Sequence, residues 1–426
     1  MFIHVVRPGE SVFAIAQQYG VTTANIIEAN ELQNQNQLAV GQALVIPTET
    51  RRHLVALGES LYSIGRQYGV SVNALLSANP EISQSGIIYP GQVINIPSPI
   101  TKLGSIEVNG YAFPSINEEV LQKTLPNLTY LTIFSYEVRP DGSLSTVNAQ
   151  PLIEAAKEAN VASLMAITNI EEGGSFSSDL VRTILTDQEV RETLLDNIVQ
   201  TLEENNYYGV DVDFEYIYPE DREAYNDFLR ELRQRLEPLG YIITTALAPK
   251  ISATQQGTLY EAHDYPVHGA LADHVILMTY EWGYTYGPPL AVAPISEVRK
   301  VLDYAVTAIP SEKILMGIPN YGYDWTLPYV PDTAAQAISN VEAVNRAIRN
   351  GVAIQYDQTA QAPYYYYYDE NGKQHVVWFE DARSIAAKLR LVDEYNLGGV
   401  SYWTIGRYFP QNWQVLNAMY DVEKVL

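Results

Sequence analysis

The sequence predicts an α/β protein: a (β/α)₈ TIM barrel with a small α+β insertion before its last strand, preceded by two β-α-α-β modules. Three observations carry this. The first hundred residues repeat with an offset of 49, eight strand-like runs then alternate with amphipathic stretches, and three carboxylates stand at alternating positions in the fourth run.

The repeat is read first, because it fixes the domain organisation. His4-Val5-Val6-Arg7-Pro8-Gly9-Glu10-Ser11-Val12 recurs as His53-Leu54-Val55-Ala56-Leu57-Gly58-Glu59-Ser60-Leu61, and Tyr19, Gly20, Ala29 and Asn30 recur as Tyr68, Gly69, Ala78 and Asn79. In each unit an alternating segment reads as a strand, a serine caps a helix with apolar residues at helical spacing, and a second short helix and a returning strand follow. The units span residues 1–48 and 52–98, with Thr48 to Arg52 between them and Pro97 to Gly104 leading onward. They read as cores separate from the barrel, joined to it by exposed linkers. The barrel spans residues 104–426, with strand-like runs near 106–112, 130–136, 162–168, 209–215, 242–248, 274–280, 314–320 and 398–404. The gap before the last run is oversized and is assigned to the insertion, at about 340–381. In the tyrosine run Tyr364 to Tyr368 a strand would bury alternate rings in the insertion and leave the others free to wall a cleft.

Composition narrows the function. A formal charge of −24 argues against nucleic acid, whose phosphates such a surface repels. The charge is uneven: residues 1–100 hold four Lys/Arg against six Asp/Glu, net −2, which leaves −22 for the rest. The first hundred residues are therefore best able to approach an anionic polymer. With no cysteine, disulfides and thiol catalysis are excluded. No two of the six histidines stand at i, i+4, so no metal and no cofactor is expected, and His263 and His268 read as loop residues. No run reaches the ~18 apolar residues of a membrane span, and no secretion signal is readable. A monomer is expected.

The chemistry lies in Tyr208-Gly209-Val210-Asp211-Val212-Asp213-Phe214-Glu215-Tyr216. On a strand, a period of two sends Asp211, Asp213 and Glu215 to one face, about 6.6 Å apart, near the C-terminal end where barrel active sites lie. Acids on a core-facing strand are costly unless used or paired.

The repeats resemble the LysM module, a binder of N-acetylglucosamine-containing glycans. That resemblance implies glycan contacts at Gly9, Glu10, Ser11 and Asn30, and at Gly58, Glu59, Ser60, Leu61, Asn79 and Pro80. The Asp-x-Asp-x-Glu run resembles the signature of family 18 glycoside hydrolases. Met278-Thr279-Tyr280-Glu281 is similar to the family's sixth strand, Gly317-Ile318-Pro319-Asn320-Tyr321-Gly322 to its seventh and Gly399-Val400-Ser401-Tyr402-Trp403 to its eighth. The resemblance implies that Glu215 is the general acid, that Asp213 orients the substrate's acetamide and balances an oxazolinium charge, that Asp211 holds Asp213, and that Tyr280 donates to the acetamide oxygen. In that family the acetamide replaces a protein nucleophile. Trp403, Glu281, Met278, Tyr321 and Asn169 are the implied substrate-binding residues. Two departures, Tyr208 where chitinases carry Asp and Leu164-Met165-Ala166-Ile167-Thr168-Asn169 on the third strand, weaken the likeness to chitinases, and with the paired LysM-like units and no readable secretion signal the chain resembles spore cortex-fragment-lytic N-acetylglucosaminidases. Peptidoglycan or cortex glycan fragments are then the expected partners and the spore outer layers, at the coat/cortex boundary, the expected location. A chitinase and a non-enzymatic glycan-binding coat protein are the alternatives.

Overall fold

The computed structural model describes every residue except Gln35 and Glu172. Eight parallel strands, Gly104–Ala112, Tyr130–Glu137, Ala162–Thr168, Gly209–Asp213, Ile242–Leu247, His274–Leu277, Ile314–Pro319 and Gly399–Trp403, pair in sequence order. The eighth returns to the first, with Gly399 opposite Glu107 and Tyr402 opposite Gly110, which closes the barrel. Each predicted run holds one of these strands. The sixth is the shortest, so Met278 and Tyr280 lie beyond its end, in the loop at the barrel's C-terminal rim. Among the described residues no helix is long and apolar enough to cross a membrane.

The insertion is larger than the sequence suggested. It begins at Gly322, because Gly322–Thr326 and Gln336–Ile338 form the first two strands of an antiparallel five-stranded sheet completed by Gln355–Asp357, Ala362–Tyr368 and Gln374–Trp378, with the helix Asn340–Arg349 packed against it. Tyr365 and Tyr367 are buried in it, Tyr364 stacks on Trp378 with ring centroids 4.5 Å apart, and Tyr366 and Tyr368 face solvent. None of the five borders the catalytic cleft, which corrects their expected role as its wall.

Each module pairs its first strand antiparallel with its last, Phe2–Val5 with Ala43–Ile46 and Thr50–Leu54 with Val93–Pro97, so the second module starts two residues earlier than expected. Ser11 and Ser60 cap the helices Val12–Tyr19 and Leu61–Tyr68, accepting from the amides of Ala14 and Ser63.

The modules are not equally independent. The first is docked: Ala29, Ala43 and Val45 join the barrel's core and Ala39 joins the insertion's. The Ile354 amide donates to the Val40 carbonyl at 2.8 Å, Gln411 donates to Asn30 at 3.0 Å, and a Cβ added at Gly41 would stand 1.9 Å from the Ile354 carbonyl oxygen. Only glycine fits a backbone approach that close. The second module keeps its own core, from Val55, Leu61, Ile64, Leu75, Ile82, Ile94 and Ile96. The first module also has a core of its own, around Ile15, Ile26, Leu44 and Ile46, so each module keeps a core, but the first is not joined to the barrel by linkers alone: its docked Ala39 and Ala43 stand where the second module has the exposed Tyr89 and Val93.

Candidate active site

The barrel interior is built in polar layers that rise to the rim. Low in the barrel, Asn109 donates to Ser401 at 2.9 Å and accepts from Thr132 at 2.7 Å. Above it Asp211 accepts from the Tyr111 hydroxyl at 2.7 Å and from Thr244 at 2.6 Å, so both of its oxygens are engaged. Asp213 follows, buried, with Oδ1 lacking any hydrogen-bond partner among the described residues. Glu215 is half-buried at the mouth. Val210, Val212 and Phe214 face the opposite way and are fully buried among the outer helices, so both faces of the strand are used.

Glu215 sits just past the strand end, where the neighbouring chain holds its backbone. Asn169 accepts from the Glu215 amide at 2.9 Å and donates to its carbonyl at 2.8 Å. From the other side His263 donates through Nε2 to the Phe214 carbonyl at 3.0 Å, while its Nδ1 accepts from the Ala248 amide at 2.9 Å. Both Asn169 and His263 are buried.

The cleft above has a volume of about 600 Å³. Asp213, Glu215, Met278, Tyr280, Glu281 and Trp403 line it, and so do Tyr111, Tyr216, Tyr260 and Tyr284. Trp403 is set edge-on against Phe134 at 4.8 Å and Tyr111 at 5.4 Å, which fixes its ring. Tyr216 and Glu281 hold φ values of 55° and 68°, an uncommon backbone region for residues with a side chain and one that clusters at functional sites.

Among the described residues no cation lines this cleft, and burial shifts its acids toward their protonated forms. Burial, then the Glu281 charge, pushes the Glu215 carboxyl up to about 7. Burial pushes Asp211 up to about 6, against the lowering effect of its bonds from Thr244 and Tyr111. Asp213 is driven well above the usual carboxylate range by burial and by its neighbours Glu215 and Asp211. One carboxyl able to give a proton near neutral pH, beside an acid pair able to share one, is an arrangement suited to glycosidic cleavage. Among the described residues no group of three or more His, Asp or Glu side chains is placed to hold a metal ion.

Comparison with known proteins agrees with this chemistry. Residues 107–407 match the model of glycosyl hydrolases family 18, and residues 4–47 and 53–97 each match the LysM domain. The chain belongs to glycosyl hydrolase family 18. It is a glycoside hydrolase carrying two LysM domains. It is 48% identical to the cortical fragment-lytic enzyme of Bacillus subtilis (strain 168), over all of this chain and 99% of the relative. The crystal structure of the spore cortex-lytic enzyme SleL of Bacillus megaterium QM B1551 superposes with a TM-score of 0.88 at 44% identity, covering 100% of this chain and 99% of that one. A chitinase from Chromobacterium violaceum ATCC 12472 superposes with a TM-score of 0.69 at 25% identity, over 74% of this chain and 98% of its own.

Within this family 18 site, the sequence-derived residues fall into two groups. Glu215, Asp213, Tyr280, Glu281, Met278 and Trp403 meet in the cleft, with Asp211 directly beneath. Asn169 and Tyr321 do not line it: Asn169 holds the Glu215 backbone, and the buried Tyr321 hydroxyl donates to Glu281, as does Tyr323 at 3.1 Å. Asn169 and Tyr321 are both buried, and each is bonded to a residue that does line the cleft. Tyr208 lies at the other end of its strand, packed near Tyr130 at the barrel floor, so this departure from the chitinase pattern does not shape the cleft. Of the two histidines read as loop residues, His263 does lie in a loop, while His268 is helical. Both are buried, and burial lowers the pKa of His263 to about 4, which keeps it neutral. Tyr111, Thr244 and the rim tyrosines were missed. The signal for Tyr111 was present, since it is two residues past Asn109 on the same inward face.

The module residues divide similarly. Glu10 bonds His4 at 2.8 Å and the Arg7 amide at 2.8 Å, while His4 reaches Tyr19 at 3.2 Å; Glu59, His53, Ala56 and Tyr68 repeat the arrangement. Asn30 and Asn79 are buried, each clamping its second helix to the returning strand through the backbone of Val45 or Asn95. Leu61 is core. Asn30, Asn79 and Leu61 are thus internal supports, while Glu10 and Glu59 each use one carboxylate oxygen inside the module. Gly9, Ser11, Gly58, Ser60 and Pro80 remain exposed on turns.

The carboxyl at about 7 makes the pH profile a direct test. The expected general acid, Glu215, would act in its protonated form, so kcat should fall as pH rises through about 7. The Glu281 charge helps hold that proton, so Glu281→Gln should move the falling limb to lower pH. A kcat profile of the variant superimposable on that of the wild type would show that Glu281 does not tune the acid.

Proposed function

We propose that the chain is a retaining N-acetylglucosaminidase that degrades peptidoglycan fragments of the spore cortex from the spore's outer layers, through the substrate's own 2-acetamido group. The observation that carries the substrate class is the full-length likeness to a cortical fragment-lytic enzyme, which includes both LysM domains as well as the barrel. The unpartnered, buried Asp213 Oδ1 supports the mechanism. A buried acceptor left unmet costs about 1–3 kcal/mol, and an acetamide N–H would satisfy it. Glu215 protonates the glycosidic oxygen, the acetamide oxygen attacks the anomeric carbon, and Asp213 faces the resulting oxazolinium charge. Tyr280 holds the acetamide oxygen and Trp403 supports the sugar ring. In return, Glu215 deprotonates the water that opens the ring. Attack from within the substrate draws on the large effective molarity of an oriented neighbour.

The turn around Gly58 and Pro80 is the proposed glycan grip of the second module, supported by exposed Leu57 and Tyr62 beside it. Tethered to the barrel, it raises the local concentration of wall polymer to the order of mM.

A chitinase reading stays in play for one reason: Tyr208 is outside the cleft, so that difference does not oppose chitin. Product analysis separates the two. Purified cortex fragments should be cut after N-acetylglucosamine faster than chitin oligomers of equal length. Faster turnover of the chitin oligomers would replace the peptidoglycan reading with the chitinase one.

A further inference from the structure

We propose that the seam between the two LysM modules and the barrel binds an oxyanion, the carboxylate of an acidic sugar or a phosphate. The seam encloses a cavity of about 610 Å³ that shares no lining residue with the catalytic cleft. Arg7 and Arg51 of the modules face Arg383 and Arg390 of the helix Ala382–Tyr395 across it, and no Asp or Glu lines it. This is a marked reversal in a chain with 50 acidic residues against 26 Lys/Arg.

Arg51 lines the cavity from the first strand of the second module. Its guanidinium lies between the rings of Tyr19 and Tyr68, 4.7 and 5.1 Å from their centroids, and its buried Nε has no hydrogen-bond partner. The equivalent position of the first repeat is Phe2, which packs on Tyr19 at 5.5 Å. The repeat's packing therefore asks only for an apolar side chain there, and a cation in its place needs another reason. The two tyrosine faces steady the charge, but the one acceptor they offer is the Tyr19 hydroxyl, a long 3.5 Å from Nη1, and Nε is left without one.

The acids around the seam are turned to other partners. Glu10 is held by His4 and the Arg7 backbone amide, and Asp381 holds Arg383 at 2.6 Å. Arg7 and Arg390 are exposed and, among the described residues, make no ion pair. The neighbouring His4 is lowered from its ordinary value mainly by burial; the Glu10 bond and charge oppose this, and Arg7 and Arg51 add smaller contributions in the lowering direction. An oxyanion in the cavity would meet the idle donors of Arg51 and neutralise converging charges from two domains. It would also give a strongly acidic enzyme one surface where an anionic polymer is attracted.

Calorimetric titration of the full-length protein at low salt tests this. N-Acetylmuramic acid, inorganic phosphate and, as the neutral control, N-acetylglucosamine are the probes. At least one anion should bind saturably, and binding should weaken at least tenfold in Arg51→Gln and in the double variant Arg7→Gln/Arg390→Gln. The double variant changes only exposed side chains, so its fold is retained even where Arg51→Gln is unstable. N-Acetylglucosamine should respond to none of the substitutions. Saturation by the acidic sugar alone assigns a glycan carboxylate, and saturation by phosphate alone assigns a phosphate. Binding of neither anion, or anion binding within twofold of wild type in the double variant, would overturn the proposal.

Discussion

Glu215→Gln should reduce hydrolysis of cortex fragments to background while leaving their binding nearly intact. Glutamine keeps the size of the side chain and removes only the transferable proton. The clamp by Asn169 acts on the backbone of residue 215 and does not depend on its side chain. The cleft's aromatic lining is untouched, so affinity should persist. General acid catalysis alone accounts for roughly 10²–10⁴ in rate, and kcat should fall by at least that factor. Single-turnover kinetics paired with a binding titration on the same fragments separates the two effects. Wild-type turnover by the variant would remove Glu215 from its role.

Asp213→Asn should be nearly as damaging, for a different reason. In the proposed mechanism its carboxylate faces the place where positive charge develops on the acetamide, inside a buried site where electrostatic effects are large. Asparagine preserves shape but cannot balance that charge, and it offers a donor beside Asp211 and Glu215. A loss of about 10²–10³ in kcat with little change in KM is expected, the pattern of an interaction made mainly in the transition state. The companion variant Asp211→Asn should lose less, because Asp211 is one layer lower and acts through Asp213. A kcat for Asp213→Asn within a few-fold of wild type would mean that Asp213 does not stabilise the intermediate.

The barrel and its catalytic strand were legible because their signals are local. Eight apolar runs at barrel spacing and a strict alternation of Asp211, Asp213 and Glu215 leave few other readings. What the sequence hid depends on partners far along the chain. Asn169 looks like a sugar ligand until Glu215, 46 residues away, is found bonded to it on both sides. Tyr208 suggested an altered cleft because it adjoins the acids in sequence, yet a five-residue strand separates the barrel floor from its rim. The insertion was placed too late because Gly322–Thr326 follows the seventh strand almost directly and reads as its continuation. The internal role of Glu10 and Glu59 was in principle readable: the spacing His4, Glu10, Tyr19 recurs intact as His53, Glu59, Tyr68. Docking of the first module was not, since nothing local distinguishes an alanine facing a neighbouring domain from one facing its own core.

In the proposed mechanism the substrate's acetamide, and not water, makes the first attack on the anomeric carbon. Proton NMR of the earliest product tests it most directly, before mutarotation blurs the anomers. Cleavage of a β-linked cortex fragment should release the new N-acetylglucosamine reducing end first as the β anomer, with the α anomer growing in later. First appearance of the α anomer would mean direct displacement by water and would contradict the mechanism assigned to Asp213 and Glu215.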